Sequence, residues 1–220
     1  MKRVLVLLSV VAVMTTTAFS QNIYLGPSVV FKGGTNAGNI PEGTKTGFNF
    51  NGIPDIGLTF KWMFDKESSL GLLFDAEYAT YSFRMRPEDE NVANDDNTIV
   101  YKPQYISLSP GLFFSGFTLN FAFGFPTAYT AQTVSGNEIP FFEVTPQDLN
   151  GPSVEIRLGG MIRAMKSDAG ELNIVIRAGY MLTGMYQPEY FTNNGLDDTN
   201  NPNIVSGGLG INYLFNLSNL

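Results

Sequence analysis

Eight charged side chains stand in segments of the sequence that otherwise alternate between apolar and small polar residues. Within each segment they share the positions opposite the apolar residues, so one face of each segment collects the charges. Charges gathered on an enclosed face must pair, because an unpaired buried charge is costly. We therefore predict a network of ion pairs, with Lys61, Asp75, Glu77 and Arg177 near its middle. The candidate residues are Asp55, Lys61, Asp75, Glu77, Glu155, Arg157, Arg163 and Arg177.

The sequence contains neither His nor Cys, which removes most catalytic and metal-binding chemistry. His is the usual general base near neutral pH, and Cys is needed for thiolate metal sites and disulfides. A mechanism using only the carboxylates Asp75 and Glu77 is an alternative, but ion pairing is the simpler role for them. The acidic stretches Glu88-Asp89-Glu90 and Asp95-Asp96 lack EF-hand spacing. We predict no enzymatic activity, no cofactor and no metal site.

Residues 1–20 have the parts of a secretory signal peptide. Lys2 and Arg3 precede an apolar run from Val4 to Met14, which is shorter than the roughly 20 residues of a membrane helix. Removing the two basic residues from the thirteen Lys and Arg leaves eleven, against twenty Asp and Glu. This acidic balance disfavours nucleic acid as a partner. We predict a signal peptide over 1–20 and one domain over 21–220.

The rest of the chain is typical of strands with an apolar and a polar face. The clearest case sets Phe117, Phe121 and Phe125 against Asn120 and Gly124 on alternate positions. Eight such segments predict an all-β fold, an eight-stranded antiparallel up-and-down transmembrane β-barrel. They cover residues 25–31, 55–64, 70–81, 106–114, 117–125, 154–163, 172–183 and 205–217.

The large apolar faces indicate which side of the barrel points outward. Aromatic faces free of charge would overfill the lumen of an eight-stranded barrel, whereas the Gly-rich polar faces fit it. A membrane barrel has this arrangement, with lipid covering its apolar exterior. Aromatic residues near the strand ends also predict two girdles at the membrane interfaces. At the long-loop end these are Tyr78, Phe83, Tyr101, Tyr105, Phe125, Tyr129, Tyr186 and Tyr190.

Short and long connections alternate along the chain, as in outer-membrane barrels. Short turns cover residues 65–69, 115–116 and 166–171, and long polar loops cover about 33–51, 87–98, 135–151 and 187–203. An even number of strands returns the chain to its starting side. We therefore predict both termini in the periplasm and the long loops outside the cell. The acidic loops predict a solvated rim among the lipopolysaccharide of the outer membrane.

On these features the chain resembles the small eight-stranded outer-membrane barrels of the OmpA/OmpX type, and among them the PorT-like barrels of Bacteroidetes-like bacteria. The resemblance is carried by the leader, the strand pattern, the segment Tyr105 to Pro110 and the terminal strand Gly207 to Phe215. It implies residence in the outer membrane and insertion by the barrel-assembly machinery. The terminal strand departs from the assembly signal, because it runs on to Leu220 and lacks a final Phe.

Function is predicted only as a class. The favoured interpretation is a non-enzymatic outer-membrane barrel with a plugged polar lumen, since eight strands leave no aqueous channel. Such a protein would act in envelope structure, in adhesion, or within a protein complex for secretion or uptake. A narrow channel for ions or small solutes is the alternative. A secreted soluble barrel that binds lipid is the third.

Overall fold

The computed structural model describes residues 22–64, 69–137, 139, 144–195 and 198–219. The predicted signal peptide lies outside the described residues and stays a prediction. The described chain is mainly strand, with one short α-helix, α1 (Pro188–Asn194), and three short 3-10 turns. The strands are β1 (Ile23–Gly38), β2 (Thr44–Phe50), β3 (Asp55–Met63), β4 (Leu70–Thr80), β5 (Phe83–Pro87), β6 (Ile99–Phe114), β7 (Phe117–Thr133), β8 (Ser153–Ser167), β9 (Gly170–Met181) and β10 (Asn203–Asn216).

Eight of these strands form a closed antiparallel ring in the order β1, β3, β4, β6, β7, β8, β9, β10. The ring closes between β1 and β10, which are paired from Tyr24↔Asn216 to Gly38↔Asn203. Neighbours in the ring are also neighbours along the chain, apart from the inserted β2 and β5. Closure satisfies the backbone hydrogen bonds that an open sheet would leave at its edges. The predicted eight-stranded up-and-down barrel is confirmed.

The apolar faces point outward and the polar faces point into the lumen. On β7, Phe121 is 45% exposed and its neighbour Asn120 only 3% exposed. The same alternation holds on β3, where Ile56 and Leu58 are exposed while Asp55 and Thr59 are buried. An apolar exterior around a charged interior is stable only when lipid covers the outside. The chain is therefore a transmembrane β-barrel, and a secreted soluble barrel is excluded.

The first predicted long loop is wrong in part. Residues 33–51 were expected to be irregular, but β1 continues to Gly38 and the chain returns as β2, leaving a short connection between them. Strand β2 pairs with β5 from Thr44↔Pro87 to Phe48↔Phe83, and β5 pairs with β6. Because both faces of β2 carry polar residues, the sequence shows no alternation of apolar and polar residues that would identify this strand. The barrel wall is thus extended on the long-loop side by a β2–β5 ribbon.

The turn between β6 and β7 follows its residue types. Ser115 has φ of 49° and Gly116 has φ of 93°, so both lie in the left-handed region. A two-residue turn with both φ values positive has the twist of type I′, which matches antiparallel strands. The Ser115-Gly116 turn predicted from the sequence is present in the structure.

Within the described part of the chain, no helix has both the length and the apolar character needed to cross a membrane.

Candidate functional site in the barrel lumen

Arg157 on β8 is the centre of a buried ionic cluster. Its Nε donates to Glu155 Oε2 at 2.6 Å, and its Nη1 forms an ion pair with Glu77 on the other side of the lumen. Its remaining N–H groups reach Tyr81 OH at 3.1 Å and Ser109 Oγ at 3.0 Å. One guanidinium therefore links β8, β4 and β6 across the interior. Arg is suited to this role because its planar group presents five donors in a fixed arrangement.

Arg177 on β9 makes the second set of contacts. Its Nη1 donates to both oxygens of Glu77 at 2.9 Å, and its Nη2 lies 3.4 Å from Asp75 Oδ2. The same guanidinium lies 4.0 Å from Asp55 Oδ2. Glu77 is therefore held between two arginines that come from β8 and β9. Asp75 is held also by Thr59, whose hydroxyl donates to its Oδ1 at 2.6 Å.

Lys32 on β1 completes this cluster and was missed in the sequence. Its Nζ lies 2.9 Å from Asp55 Oδ2 and 3.6 Å from the centre of the Tyr81 ring. The alternation from Ser28 through Val30 places Lys32 on the inward face, but the predicted first strand ends at Phe31 and so leaves Lys32 out. We call these seven groups the central charge cluster. It has three cations and four carboxylates: Lys32, Asp55, Asp75, Glu77, Glu155, Arg157 and Arg177.

Lys61 and Arg163 do not join the central charge cluster. Lys61 forms a buried ion pair with Glu171, and Arg163 Nε lies 3.2 Å from Glu171 Oε2 near the short-turn mouth. The prediction that Lys61 lies near mid-height with Asp75, Glu77 and Arg177 is therefore wrong. Glu171 lies in the predicted short turn over 166–171, but the structure places it in β9, where it points inward together with Asn173. Lys61, Arg163 and Glu171 form what we call the rim charge cluster.

A small cavity lies between the two clusters. The cavity there has a volume of about 10 Å³, room for no more than about one water molecule. Asp75, Arg157 and Arg177 line its outer side, and Leu73 and Met161 are among the residues that line its walls. Towards the short turns the lumen widens to a vestibule of about 460 Å³ bordered by Lys61 and Glu171.

An aromatic cap covers the central charge cluster on the long-loop side. The bridge between Leu149 and Tyr186, and a bond from Asn150 N to Met185 O at 2.8 Å, join the β7–β8 loop to the β9–β10 loop. Tyr186 stacks on Tyr190 with ring centroids 4.6 Å apart. The aromatic cap comprises Ala79, Tyr81, Phe83, Tyr105, Leu149, Met181, Met185, Tyr186, Tyr190, Phe191 and Ile204.

The cap corrects the predicted girdle at the long-loop end. Phe83 and Tyr105 are fully buried, and Tyr186 and Tyr190 are almost so, which places none of the four against lipid. Phe125, at 46% exposed, is on the outer face as expected. Burial raises the pKa of the Tyr186 hydroxyl well above its usual value. The group is therefore neutral at physiological pH and shares a hydrogen bond of 2.8 Å with Tyr129.

The described residues contain no group of three or more His, Asp or Glu side chains placed to hold a metal ion. Asp75 and Glu77 were the candidate catalytic carboxylates, and both are engaged by Arg177. The charged side chains form ion pairs that span the lumen.

Neither a family model nor a curated protein matches the sequence. The solved structures that align with it over most of their length include three outer-membrane proteins. The Ail protein of Yersinia pestis, solved with a heparin analogue, has 15% identity, with 89% of this chain and 98% of Ail covered and a TM-score of 0.32. OprG of Pseudomonas aeruginosa has 13% identity, coverage of 90% and 96%, and a TM-score of 0.34. AlkL has 13% identity, coverage of 90% for both chains, and a TM-score of 0.31.

At these identities and scores the alignments carry no functional information. The closer resemblance to PorT-like barrels stays a prediction. The assignment to the outer membrane follows from the architecture, because a closed eight-stranded barrel with a lipid-facing apolar exterior is the construction of outer-membrane proteins.

Proposed function

We propose that this eight-stranded outer-membrane β-barrel is a non-enzymatic, non-conducting protein that acts through its outer surfaces. Its roles would be in envelope structure, in adhesion, or as a subunit of a secretion or uptake complex. The observation that carries the proposal is the packing of two buried groups of side chains in the lumen, the central charge cluster and the aromatic cap. If the lumen is closed, partners would contact the protein at its rim or at its lipid-facing wall.

The central charge cluster supports a closed lumen because its cations and carboxylates form ion pairs with one another. Glu77 pairs with two arginines, and the guanidinium of Arg157 donates to five different side chains. A hydrated pore would need room for water beside these groups, and the cavity next to them has about 10 Å³. The aromatic cap adds a second barrier, since its buried side chains offer an ion little to replace its hydration.

The assembly machinery and lipopolysaccharide are the partners that this location implies. Lipid contacts the apolar exterior along the whole ring. The alternating terminal strand β10 is the segment that the barrel-assembly machinery would engage. Pull-down of intact outer-membrane complexes would identify a protein partner in the envelope.

Conductance tests the closed lumen directly. We expect the folded protein to give no stable current steps in planar bilayers, because a lumen closed by the clusters and the cap would offer water no continuous path. A water-filled porin in the same bilayers provides the positive control for detection. Folding is verified by the heat-dependent shift of electrophoretic mobility. Stable single-channel currents from the purified protein would overturn the plug and favour the narrow channel.

Labelling in intact cells tests the orientation. Single cysteines at Glu90 and Asn193, both exposed in long loops, should react with a reagent that does not cross the membrane. A cysteine at Ala169, exposed in the short turn between β8 and β9, should react only after the cells are lysed. The reverse pattern would place the short turns outside and would contradict the proposed topology.

A further inference from the structure

Four cations are grouped on the outer face of the β2–β5 ribbon and of β6. Lys45 on β2 is directly opposite Arg86 on β5. Arg84 on β5 is opposite Val100 on β6, and Lys102 lies on the same face of β6 as Val100. The other face of this sheet holds Phe83, Met85 and Tyr101, which pack into the aromatic cap. The cations therefore point away from the lumen. We call Lys45, Arg84, Arg86 and Lys102 the outer cation patch.

These cations form no ion pair with any residue in the described part of the chain. Glu42 and Glu88 are near in sequence, yet neither is within ion-pair distance of them. Arg84 and Arg86 are exposed, and the Arg84 side chain crosses Gly47, where an added Cβ would come within 2.8 Å of Nε. Lys32, Lys61, Arg157 and Arg177 are, by contrast, all paired inside the barrel. The patch thus groups four positive charges without ion-pair partners among the described residues, on a protein whose net charge is negative.

The height of the patch matches the headgroup layer of a membrane. Tyr78, Ile106 and Phe125 form the last apolar row on this wall, and Tyr78 OH donates to Gln104 just above it. Lys102 is four residues beyond Ile106 along β6, about 14 Å along the strand and about 10 Å along the membrane normal for a typical tilt. Arg84, Arg86 and Lys45 continue from that level outward. The cations thus begin within the layer where lipid headgroups carry their charge.

We propose that the outer cation patch binds the phosphate groups of a phosphorylated glycolipid in the outer leaflet, of the lipid A type. Two guanidinium groups and two ammonium groups on one flat β-surface suit phosphate oxygens, to which Arg donates in pairs. The acyl chains of the same lipid would lie along Ile106 and Phe125 below the patch. This inference rests on the proposed orientation, which puts the long loops outside the cell, and it is independent of whether the lumen conducts.

The test measures binding of defined lipids to the purified protein in dodecylmaltoside micelles. Native mass spectrometry counts adducts of bisphosphorylated lipid A, and dephosphorylated lipid A with the same acyl chains is the comparison lipid. We expect the bisphosphorylated form to bind at least about tenfold more tightly, as two or more charge-assisted hydrogen bonds are at stake. The double variant Arg84→Gln/Arg86→Gln should lose most of that preference.

A variant with the same change of net charge provides the control. Lys66→Gln/Lys166→Gln removes two cations from the predicted short-turn rim and should keep the preference for phosphate. Inorganic phosphate at millimolar concentration should compete weakly, since it lacks the acyl chains.

Three results would overturn the proposal. They are equal binding of the two lipids, equal loss in both double variants, and complete displacement of the lipid by inorganic phosphate. Because the Arg84 and Arg86 side chains are exposed, both double variants should remain folded, and the heat-dependent mobility shift verifies this. The outcome does not depend on conductance or orientation, so it is separable from a failure of the proposed function.

Discussion

Replacing Arg157 with Met should lower the free energy of unfolding by about 3–5 kcal/mol. The guanidinium is buried and pairs with Glu77 and Glu155 while also bonding Tyr81. Its removal leaves a carboxylate without its main partner in an interior from which water is excluded. The measurement is urea-induced unfolding in lipid vesicles, followed by Trp62 fluorescence and by gel mobility.

The double variant Arg157→Met/Glu155→Gln distinguishes pairing from packing. Removing both charges of a buried pair is often nearly neutral, so the second substitution should recover a large part of the loss. Lys166→Met is the control, because Lys166 is exposed and its loss should change stability by no more than about 0.5 kcal/mol. Additive losses from Arg157→Met and Glu155→Gln would show that the two residues do not act as a pair. A negligible loss from Arg157→Met would indicate a hydrated lumen.

The sequence predicts which residues face the lumen, and the reason is the exact period of two in a strand. Asp75, Glu77, Arg157 and Arg177 are inward because their neighbours Phe74, Leu158 and Ile176 are outward. Their partners could not be predicted in the same way. Which residues meet across a barrel depends on the stagger between strands, a property of the closed ring that a single strand does not carry. Lys61 therefore pairs with Glu171 and not with Asp75.

The aromatic cap could not be predicted, for a different reason. Tyr186, Tyr190 and Phe191 lie in a loop where no strand period exists to assign a face. Phe83 and Tyr105 lie near strand ends, where a girdle residue and a cap residue look the same in the sequence. The difference is made by the β7–β8 and β9–β10 loops, which fold inward and bury these rings.

Replacing Phe121 with Arg should impair folding into lipid by about 2–4 kcal/mol. Phe121 lies midway between Phe117 and Phe125 on the lipid-facing part of β7, opposite Ile156 on the neighbouring strand, and its side chain points outward. An arginine there would have to hold its charge within the hydrocarbon layer, and both interfaces are several residues away along the strand. The measurement is the folded fraction after dilution from urea into vesicles, resolved by electrophoresis without heating.

Two further variants isolate the cause of the loss. Phe121→Leu keeps an apolar side chain at the same place and should fold nearly as well as the wild type. Thr130→Arg places the same charge on the outer face of the same strand, next to Lys102 and above the last apolar row. Because water and headgroups reach that level, it should cost no more than about 1 kcal/mol. If Arg were tolerated equally at Phe121 and Thr130, the exterior would not face lipid, and the membrane barrel itself would be contradicted.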